Sequence, residues 1–379
     1  MLNNVRLLED FFSLVRIRSP ARDERAIADM LSVRMKAMGF EVHEDDVGSK
    51  IGGNAGNLIG YMAGSVAGAP RLLLSVHMDT VEPCDGIKPR LKDGLITSDG
   101  TTILGADCKA GMAAIFEALR AVQETGQQHG DIQLVITVAE EGGVNGSKHL
   151  DPGRLRADVG YVLDVDGPPG EIVVQAPGKD RIDVVIHGKK AHAGIAPELG
   201  VNAVALAARA LARLPMGRLD AETTINVGNI NGGGATNVVP DRVAFAIETR
   251  SQNRTKLDFL TAQTCQTITE EAIRGGGRAE ISAKRDYEPY GLADDAPQVL
   301  LARRAMESIG LVPQCKPTGG GSDANFFNSY GVPTAVLGTG MSKVHTVDEC
   351  IREQDLYKLA EVALAIIRTA AAGRNGGGR

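Results

Sequence analysis

The sequence predicts an α/β protein with a mainly parallel sheet, helices on both faces of that sheet, and an inserted α+β module. Short apolar strands alternate with amphipathic helices in the first half of the chain and again near its end, a pattern typical of a parallel sheet covered by helices. Between these parts the predicted order becomes strand, helix, strand, strand, helix, strand. That order is characteristic of a ferredoxin-like module.

The first part of the chain follows from apolar periodicity and from residues that start or stop helices. The second helix, for example, follows the Pro20 break and stops at Gly39. The predicted elements are helices at 4–15 and 22–38, extended segments at 40–44 and 57–61, a buried strand at 71–76, a helix at 110–124, and strands at 132–138 and 159–163. In sheets of this kind, sites form beyond the carboxyl ends of the strands.

The inserted module is predicted at 178–288, so that 1–177 and 289–379 form one discontinuous domain. Its elements are strands at 181–187, 224–227, 243–248 and 279–285, with helices at 201–214 and 256–274. The α/β pattern then resumes with helices at 298–309, from 323 and at 354–371, and with strands near 314 and at 334–337. The end, 372–379, is predicted to be a frayed tail.

Composition excludes several classes of protein. The 379 residues are 43% hydrophobic and 23% charged, as in globular proteins of two domains. A net charge of −6 gives no sign of a basic surface for nucleic acid, and 4% aromatic residues with no Trp argue against base stacking. No signal peptide or membrane-spanning run is present, so no membrane partner and a cytoplasmic location are expected. Five scattered cysteines without a C-x-x-C pair argue against disulfides and thiolate zinc sites.

A His-x-Asp pair follows the apolar run at 72–74, in the segment SVHMDTV at 75–81. Because strand side chains alternate between faces, His77 and Asp79 point to the same side. A carboxylate beside an imidazole commonly fixes the tautomer and orientation of a metal-binding histidine. The pair alone is weak evidence, since such residues at strand ends are more often solvated loop residues.

Further acids and one histidine occur at or beyond the ends of other predicted elements. Asp107 opens a helix, where an N-cap is the commonest use of aspartate. Glu140 and Glu141 end a strand, where two adjacent carboxylates are costly to bury without a cation. Asp164 ends the next strand, and His345 lies in a loop before the last helix. Together these candidates indicate a metal site with imidazole and oxygen ligands more strongly than any one of them.

These segments resemble the cocatalytic di-zinc peptidases of the M20 type, within the branch related to peptidase T. The matching pieces are SVHMDTV at 75–81, GADCKAG at 105–111, EEG at 140–142, the strand-end Asp164, GGGSDAN at 319–325 and His345. The resemblance covers nearly the whole chain, including the insertion. Cys108 departs from the Asp or Met usual after the shared aspartate, and we interpret it as a packing residue.

The resemblance implies two divalent metal ions. His77, Glu141, Asp164 and His345 would hold terminal positions on them, and Asp107 would bridge them. An aspartate at the Asp164 position fits the peptidase T-like side of the family. Zinc is the first choice, and the mixed carboxylate and imidazole ligands also accept cobalt or manganese.

The resemblance also implies the catalytic roles. Glu140 would be the general base and acid that acts on a water activated by the two metals. Asp79 would orient His77, and His192 of the inserted lid domain would stabilise the oxyanion. The implied substrate contacts are Asn237, Arg250, Gly320, Gly321 and Ser322. Without the resemblance, Arg250 would be read as a surface strand arginine.

The function predicted from the sequence is a metal-dependent hydrolase of short peptides, with a tripeptide aminopeptidase as its specific form. One alternative is an amidohydrolase, deacylase or carboxypeptidase acting on N-acyl amino acids or dipeptides. A remote alternative is a metal-dependent binding protein without turnover, which Glu140 and Asp79 disfavour because such a protein needs neither. The resemblance further implies a homodimer formed through the lid domain.

Overall fold

The computed structural model describes residues 1–372, which fold as two compact units. Unit 1 comprises Met1–Val174, Leu292–Pro317 and the chain from Ser322 onward. Unit 2 comprises Gln175–Gly291 together with Thr318–Gly321. The inserted unit is thus slightly longer than the predicted 178–288, and it takes in a short segment from later in the chain.

The α-helices are α1 (Asn4–Val15), α2 (Arg25–Ala37), α3 (Val47–Ile51), α4 (Ala106–Glu124), α5 (Asn145–His149), α6 (Ala203–Ala212), α7 (Arg254–Arg274), α8 (Pro297–Ser308), α9 (Asp323–Ser329) and α10 (Glu353–Ala372). Short 3₁₀ turns lie at Pro152–Arg154 and Pro197–Leu199.

The strands are β1 (Glu41–Glu44), β2 (Leu58–Met62), β3 (Leu72–His77), β4 (Arg90–Lys92), β5 (Leu95–Thr97), β6 (Ile132–Thr137), β7 (Val159–Val165), β8 (Glu171–Ala176), β9 (Gly178–His187), β10 (Gly217–Arg218), β11 (Thr223–Gly232), β12 (Arg242–Ser251), β13 (Arg278–Tyr287), β14 (Tyr290–Gly291), β15 (Gln314–Pro317), β16 (Thr334–Gly338), β17 (Met341–Ser342) and β18 (Cys350–Arg352).

The main sheet of unit 1 has the strand order β1-β2-β6-β3-β7-β16-β8, and β15 also pairs with β8. The four central strands β6, β3, β7 and β16 are parallel, whereas β1, β2 and β8 run antiparallel to their neighbours. Every residue of β3 and β6 is buried, as expected for strands covered on both faces. The predicted α/β class with a mainly parallel central sheet is confirmed.

Unit 2 contains an antiparallel sheet of order β10-β11-β12-β9-β13. Buried apolar side chains alternate with more exposed residues along β9 and β12. The buried ones pack with α6 and α7 in a separate core that includes Val184, Phe245, Leu206 and Ile268. The observed order β9-α6-β11-β12-α7-β13 is the predicted ferredoxin-like order, with the two-residue β10 added.

Several short elements were missed by the sequence analysis. Strand β8 directly follows a Pro-Pro-Gly turn at 168–170. No strand was predicted there, because Pro and Gly indicate a turn. A small sheet of order β17-β18-β5-β4 was also missed, because strands of two or three residues carry no readable periodicity. In contrast, α1 has the predicted bounds, since its apolar stripe is long and Asn3 caps its first turn.

Ala372 ends α10, and the rest of the tail predicted at 372–379 lies outside the described residues. Within the described chain, no helix combines the length and apolar character needed to cross a bilayer. The cytoplasmic location stays a prediction.

Candidate metal centre

The carboxylate of Asp107 lies between two imidazoles in unit 1. Asp107 Oδ1 is 3.0 Å from His77 Nε2, and Asp107 Oδ2 is 3.3 Å from His345 Nε2. His77 Nε2 is also 3.2 Å from Asp164 Oδ1, and His345 Nε2 is 3.0 Å from Glu141 Oε2. The five side chains that the sequence predicted as ligands therefore form two groups that share Asp107.

The main sheet brings most of these residues together at one edge. His77 is the last residue of β3, Asp164 is the penultimate residue of β7, and Glu141 follows the end of β6. Because β6, β3 and β7 are parallel neighbours, their carboxyl ends meet at that edge. His345 enters from the loop between β17 and β18, with a left-handed φ of 63°.

Asp107 is placed by the start of α4. Asp107 and Cys108 have non-helical backbone angles, so the regular helix begins after them. Further along α4, a Cβ atom on Gly111 would lie only 2.4 Å from the carbonyl oxygen of Leu163. The glycine thus lets α4 pack directly against β7 and keeps Asp107 close to Asp164. The alternative use of Asp107 as an N-cap does not describe this arrangement, since its oxygens face the imidazoles.

Burial and neighbouring charges shift the pKa values of residues in and beside the two groups. Burial raises the pKa of Asp164 to about 8, although His77 opposes the shift. Burial also raises the pKa of Glu140 well above its usual value, and the nearby Asp164 adds to the shift. The carboxylates of Asp107 and Glu141 raise the pKa of His345 to about 10. A divalent cation would favour ionised carboxylates and neutral imidazoles, and so would oppose these shifts.

The donor atoms fit one divalent cation in each group. The first group contains His77, Asp107, Asp164 and Cys108, and the second contains Asp107, Glu141 and His345, with ligand atoms within 4.8 Å of one another in each. Glu141 Oε1 is buried and has no hydrogen-bond partner among the described residues. A buried carboxylate oxygen without a partner is costly, and coordination of a cation would satisfy it. The number and identity of the ions stay predictions.

The loop that carries Glu140 and Glu141 is held by two buried carboxylates. Asp79 Oδ1 accepts a hydrogen bond from Glu140 N–H (3.0 Å), and Asp79 Oδ2 accepts one from Glu141 N–H (3.1 Å). Glu24 Oε1 accepts one from Ala139 N–H (3.0 Å). Ala139 has a left-handed φ of 48°, a strained conformation that these bonds stabilise.

Asp79 therefore contacts His77 differently from what the sequence analysis expected. The ring nitrogen His77 Nδ1 is 2.9 Å from the backbone carbonyl oxygen of Asp79 and 3.6 Å from its Oδ1. The Asp79 carbonyl orients the His77 ring, while the Asp79 carboxylate accepts the N–H groups of Glu140 and Glu141. Glu24 was not singled out from the sequence, because a glutamate at a helix start resembles any surface acid.

Cys108 is the fourth member of the first group, but its thiol already makes a hydrogen bond. Its Sγ donates a hydrogen bond to the carbonyl oxygen of Leu163 at 2.9 Å. Burial raises the pKa of the Cys108 thiol well above its usual value. Because the thiolate is the form that binds metals, these observations fit the interpretation of Cys108 as a packing residue.

The predicted catalytic residue His192 and the predicted substrate residue Asn237 lie close together in unit 2. His192 forms an isolated bridge with Val238, and the Asn237 carbonyl accepts a hydrogen bond from Ala193 N–H at 2.9 Å. His192 Nδ1 accepts hydrogen bonds from the N–H groups of Gly194 and Ile195. In the neutral ring Nε2 then carries the proton, so Nε2 is available as a donor.

The other predicted substrate residues lie in the segment Thr318–Gly321 or next to it. Arg250 donates to Glu248 at 2.7 Å, and its Nη1 lies 3.4 Å from the Gly319 carbonyl oxygen. Gly320 N–H donates to Thr318 Oγ1 at 3.3 Å. A Cβ atom on Gly321 would lie 2.4 Å from the ring of Tyr287, so the position requires glycine.

Ser322 differs from its expected role as a backbone donor to substrate. Its N–H donates to Asn325 Oδ1 at 3.0 Å, and its hydroxyl oxygen accepts from Ala324 N–H at 3.4 Å. These bonds form a capping box at the start of α9. The Ser322 N–H is therefore occupied by the helix cap.

Comparison with known proteins gives one family. The family model described as Peptidase family M20/M25/M40 matches residues 73–369. Peptidase T of Shigella boydii serotype 18 is 30% identical over 342 residues, covering 87% of this chain and 81% of that protein.

Two solved structures are similar over almost the full length. The aminopeptidase PepT of Bacillus cereus is 44% identical, with a TM-score of 0.91 over 98% of this chain and 99% of that chain. A tripeptidase of Staphylococcus aureus is 39% identical, with a TM-score of 0.94 over 98% of this chain and 100% of that chain.

Proposed function

Since the chain belongs to peptidase family M20/M25/M40, in the branch of peptidase T, and is a peptidase that hydrolyses peptide bonds, we propose that it is a metal-dependent aminopeptidase for tripeptides. The observation that carries the metal dependence is the position of Asp107, with one oxygen directed to each histidine. The preference for tripeptides is supported by the similarity to the aminopeptidase and the tripeptidase described above.

In the proposed reaction, the two groups would hold divalent cations, which would supply the Lewis acidity that activates water and polarises a carbonyl. Zinc is the proposed metal, in two copies. Glu140 takes the proton from the attacking water and passes it to the leaving nitrogen. Asp79 contributes by fixing the backbone of Glu140 and Glu141, so that one carboxylate serves as base and its neighbour as ligand.

The roles of His192, Asn237, Arg250, Gly320 and Gly321 in binding substrate stay predictions. All five residues belong to unit 2. The Nε2 donor of His192 and the guanidinium of Arg250 have the chemistry needed for an oxyanion and for a peptide carboxylate.

A panel of alanine peptides tests the substrate class. We expect tri-alanine to be cleaved faster than di-alanine, tetra-alanine or N-acetyl-alanine. N-acetyl-tri-alanine should be cleaved at least about 100-fold more slowly, because a site that binds a free amine leaves polar groups unpaired when the amine is blocked. The measurement is kcat/KM for each peptide by quantification of released alanine.

Chelation is the second arm of the same experiment. We expect exhaustive removal of metal to abolish hydrolysis of tri-alanine, and added Zn²⁺ to restore it. Hydrolysis that survives chelation would contradict metal dependence. Faster cleavage of N-acetyl-alanine than of tri-alanine would replace the aminopeptidase by a deacylase.

The homodimer that the family resemblance implies is also part of this proposal. Several large apolar side chains of unit 2 are exposed, including Ile195 (78%), Leu199 (61%) and Ile230 (56%), and exposed apolar surface often marks an interface. We expect light scattering to give a molar mass twice that of the chain at micromolar concentration. The mass of a single chain under those conditions would refute the dimer.

A further inference from the structure

The side chain of Glu349 is buried, with 1% exposure, and holds three backbone N–H groups of a distant turn. Its Oε2 accepts hydrogen bonds from Leu104 N–H (2.8 Å) and Gly105 N–H (2.7 Å), and its Oε1 accepts one from Asp107 N–H (3.0 Å). N–H groups at the start of a helix lack partners within the helix. Glu349 supplies comparable partners for the turn that leads into α4, from 242 to 245 residues further along the chain.

Glu349 also belongs to the segment that carries His345. Its own N–H donates to the Thr346 carbonyl oxygen at 3.1 Å, which closes a turn directly after His345. The next residues form β18, which pairs with β5 and anchors the segment to unit 1. A single carboxylate therefore joins the turn that presents Asp107 to the turn that presents His345.

We propose that Glu349 is a positioning residue that sets the distance between Asp107 and His345 in the metal centre. The inference rests on the proposed function, because it takes these two residues as ligands. His345 Nε2 lies 3.3 Å from Asp107 Oδ2, and Glu349 fixes the backbone on both sides of this contact. Residues that orient ligands in this way alter metal affinity when they are changed.

The effect is expected to differ between the two groups. Asp107 and His345 are two of the three members of the second group, which also contains Glu141. Only Asp107 among the members of the first group is held by Glu349. Loss of the Glu349 carboxylate should therefore lower the metal affinity of the second group more than that of the first.

The test is the variant Glu349→Gln, which keeps the shape of the side chain. A glutamine oxygen can accept the Leu104 and Gly105 N–H groups, but its NH₂ group would then face the Asp107 N–H. We expect the affinity for Co²⁺, followed by its visible absorption, to fall about 10-fold to 100-fold. We expect kcat for tri-alanine to fall in parallel, with KM changed by less than about twofold.

Asp348→Asn is the matched control, since it removes a negative charge from the adjacent exposed residue. We expect its Co²⁺ affinity to equal that of the unchanged protein. If Glu349→Gln does not fold, Glu349→Asp takes its place, because it keeps the charge but draws the oxygens back by one methylene group. A smaller loss of Co²⁺ affinity is then expected.

A folded Glu349 variant with Co²⁺ affinity within about twofold of the unchanged protein would overturn the inference. A lower melting temperature of the metal-free protein, with unchanged Co²⁺ affinity, would show that Glu349 only stabilises the helix start. If the unchanged protein neither binds Co²⁺ nor cleaves tri-alanine, the proposed function fails instead. The two failures are therefore distinguishable.

Discussion

Replacement of Glu140 by glutamine is expected to lower kcat for tri-alanine about 10³-fold or more, which lies within the range for loss of a general acid and base. Glutamine has nearly the same shape but cannot take a proton from water at neutral pH. Glu140 belongs to neither ligand group, so Co²⁺ binding should be retained. The measurements are kcat, KM and the Co²⁺ spectrum of the folded variant.

The control for this variant is Glu307→Gln, which makes the same chemical change at an exposed position on α8. Its kcat should match that of the unchanged protein. If Glu140→Gln keeps kcat within about tenfold of the unchanged protein, the proton-transfer role belongs to another group. Loss of Co²⁺ binding in Glu140→Gln would instead indicate that Glu140 is a ligand.

Asp107→Ala is expected to have the broadest effect on metal binding. Asp107 is the member common to both groups, so its removal should lower the metal affinity of both groups. His77→Ala and His345→Ala should each lower the metal affinity of one group. Hydrolysis of tri-alanine should fall about 10⁴-fold or more, because the shared carboxylate would position both proposed cations. Metal content after dialysis and kcat/KM measure the two effects.

Asp166→Asn provides the control for charge, since Asp166 is exposed and lies near the end of the same strand as Asp164. It should keep its metal content and activity. Retention of two ions per chain by Asp107→Ala would refute the shared position of Asp107. A loss confined to one ion would place Asp107 in a single group.

Much of the fold and of the centre could be predicted from the sequence. Long apolar strands such as β3 and β6 identified the sheet, and their ends supplied His77 and Glu141. The parallel arrangement then predicted that these ends lie together. The resemblance to the M20 family is confirmed by the family model, and it added roles that strand patterns cannot supply.

Other features could not be predicted, because they depend on contacts between distant parts of the chain. Glu349 adjoins the exposed Asp348 and reads as a loop acid, yet it bonds to residues near 105. The Asp79 carboxylate was assigned to His77 because of its spacing, and its hydrogen bonds to the Glu140 loop could not be predicted. Ser322 was grouped with the glycines before it, whereas it lies at the start of α9 and donates its N–H to Asn325 in the helix cap.

The position of β16 in the main sheet has a consequence for synthesis of the chain. This strand lies between β7 and β8, although it is made after the whole of unit 2. While the ribosome is still producing the insertion, β7 and β8 cannot be joined, and β7 presents an open edge to other chains. This edge of β7 can be covered only after Thr334–Gly338 has been made, and His345, the last of the predicted ligand residues along the chain, is made later still.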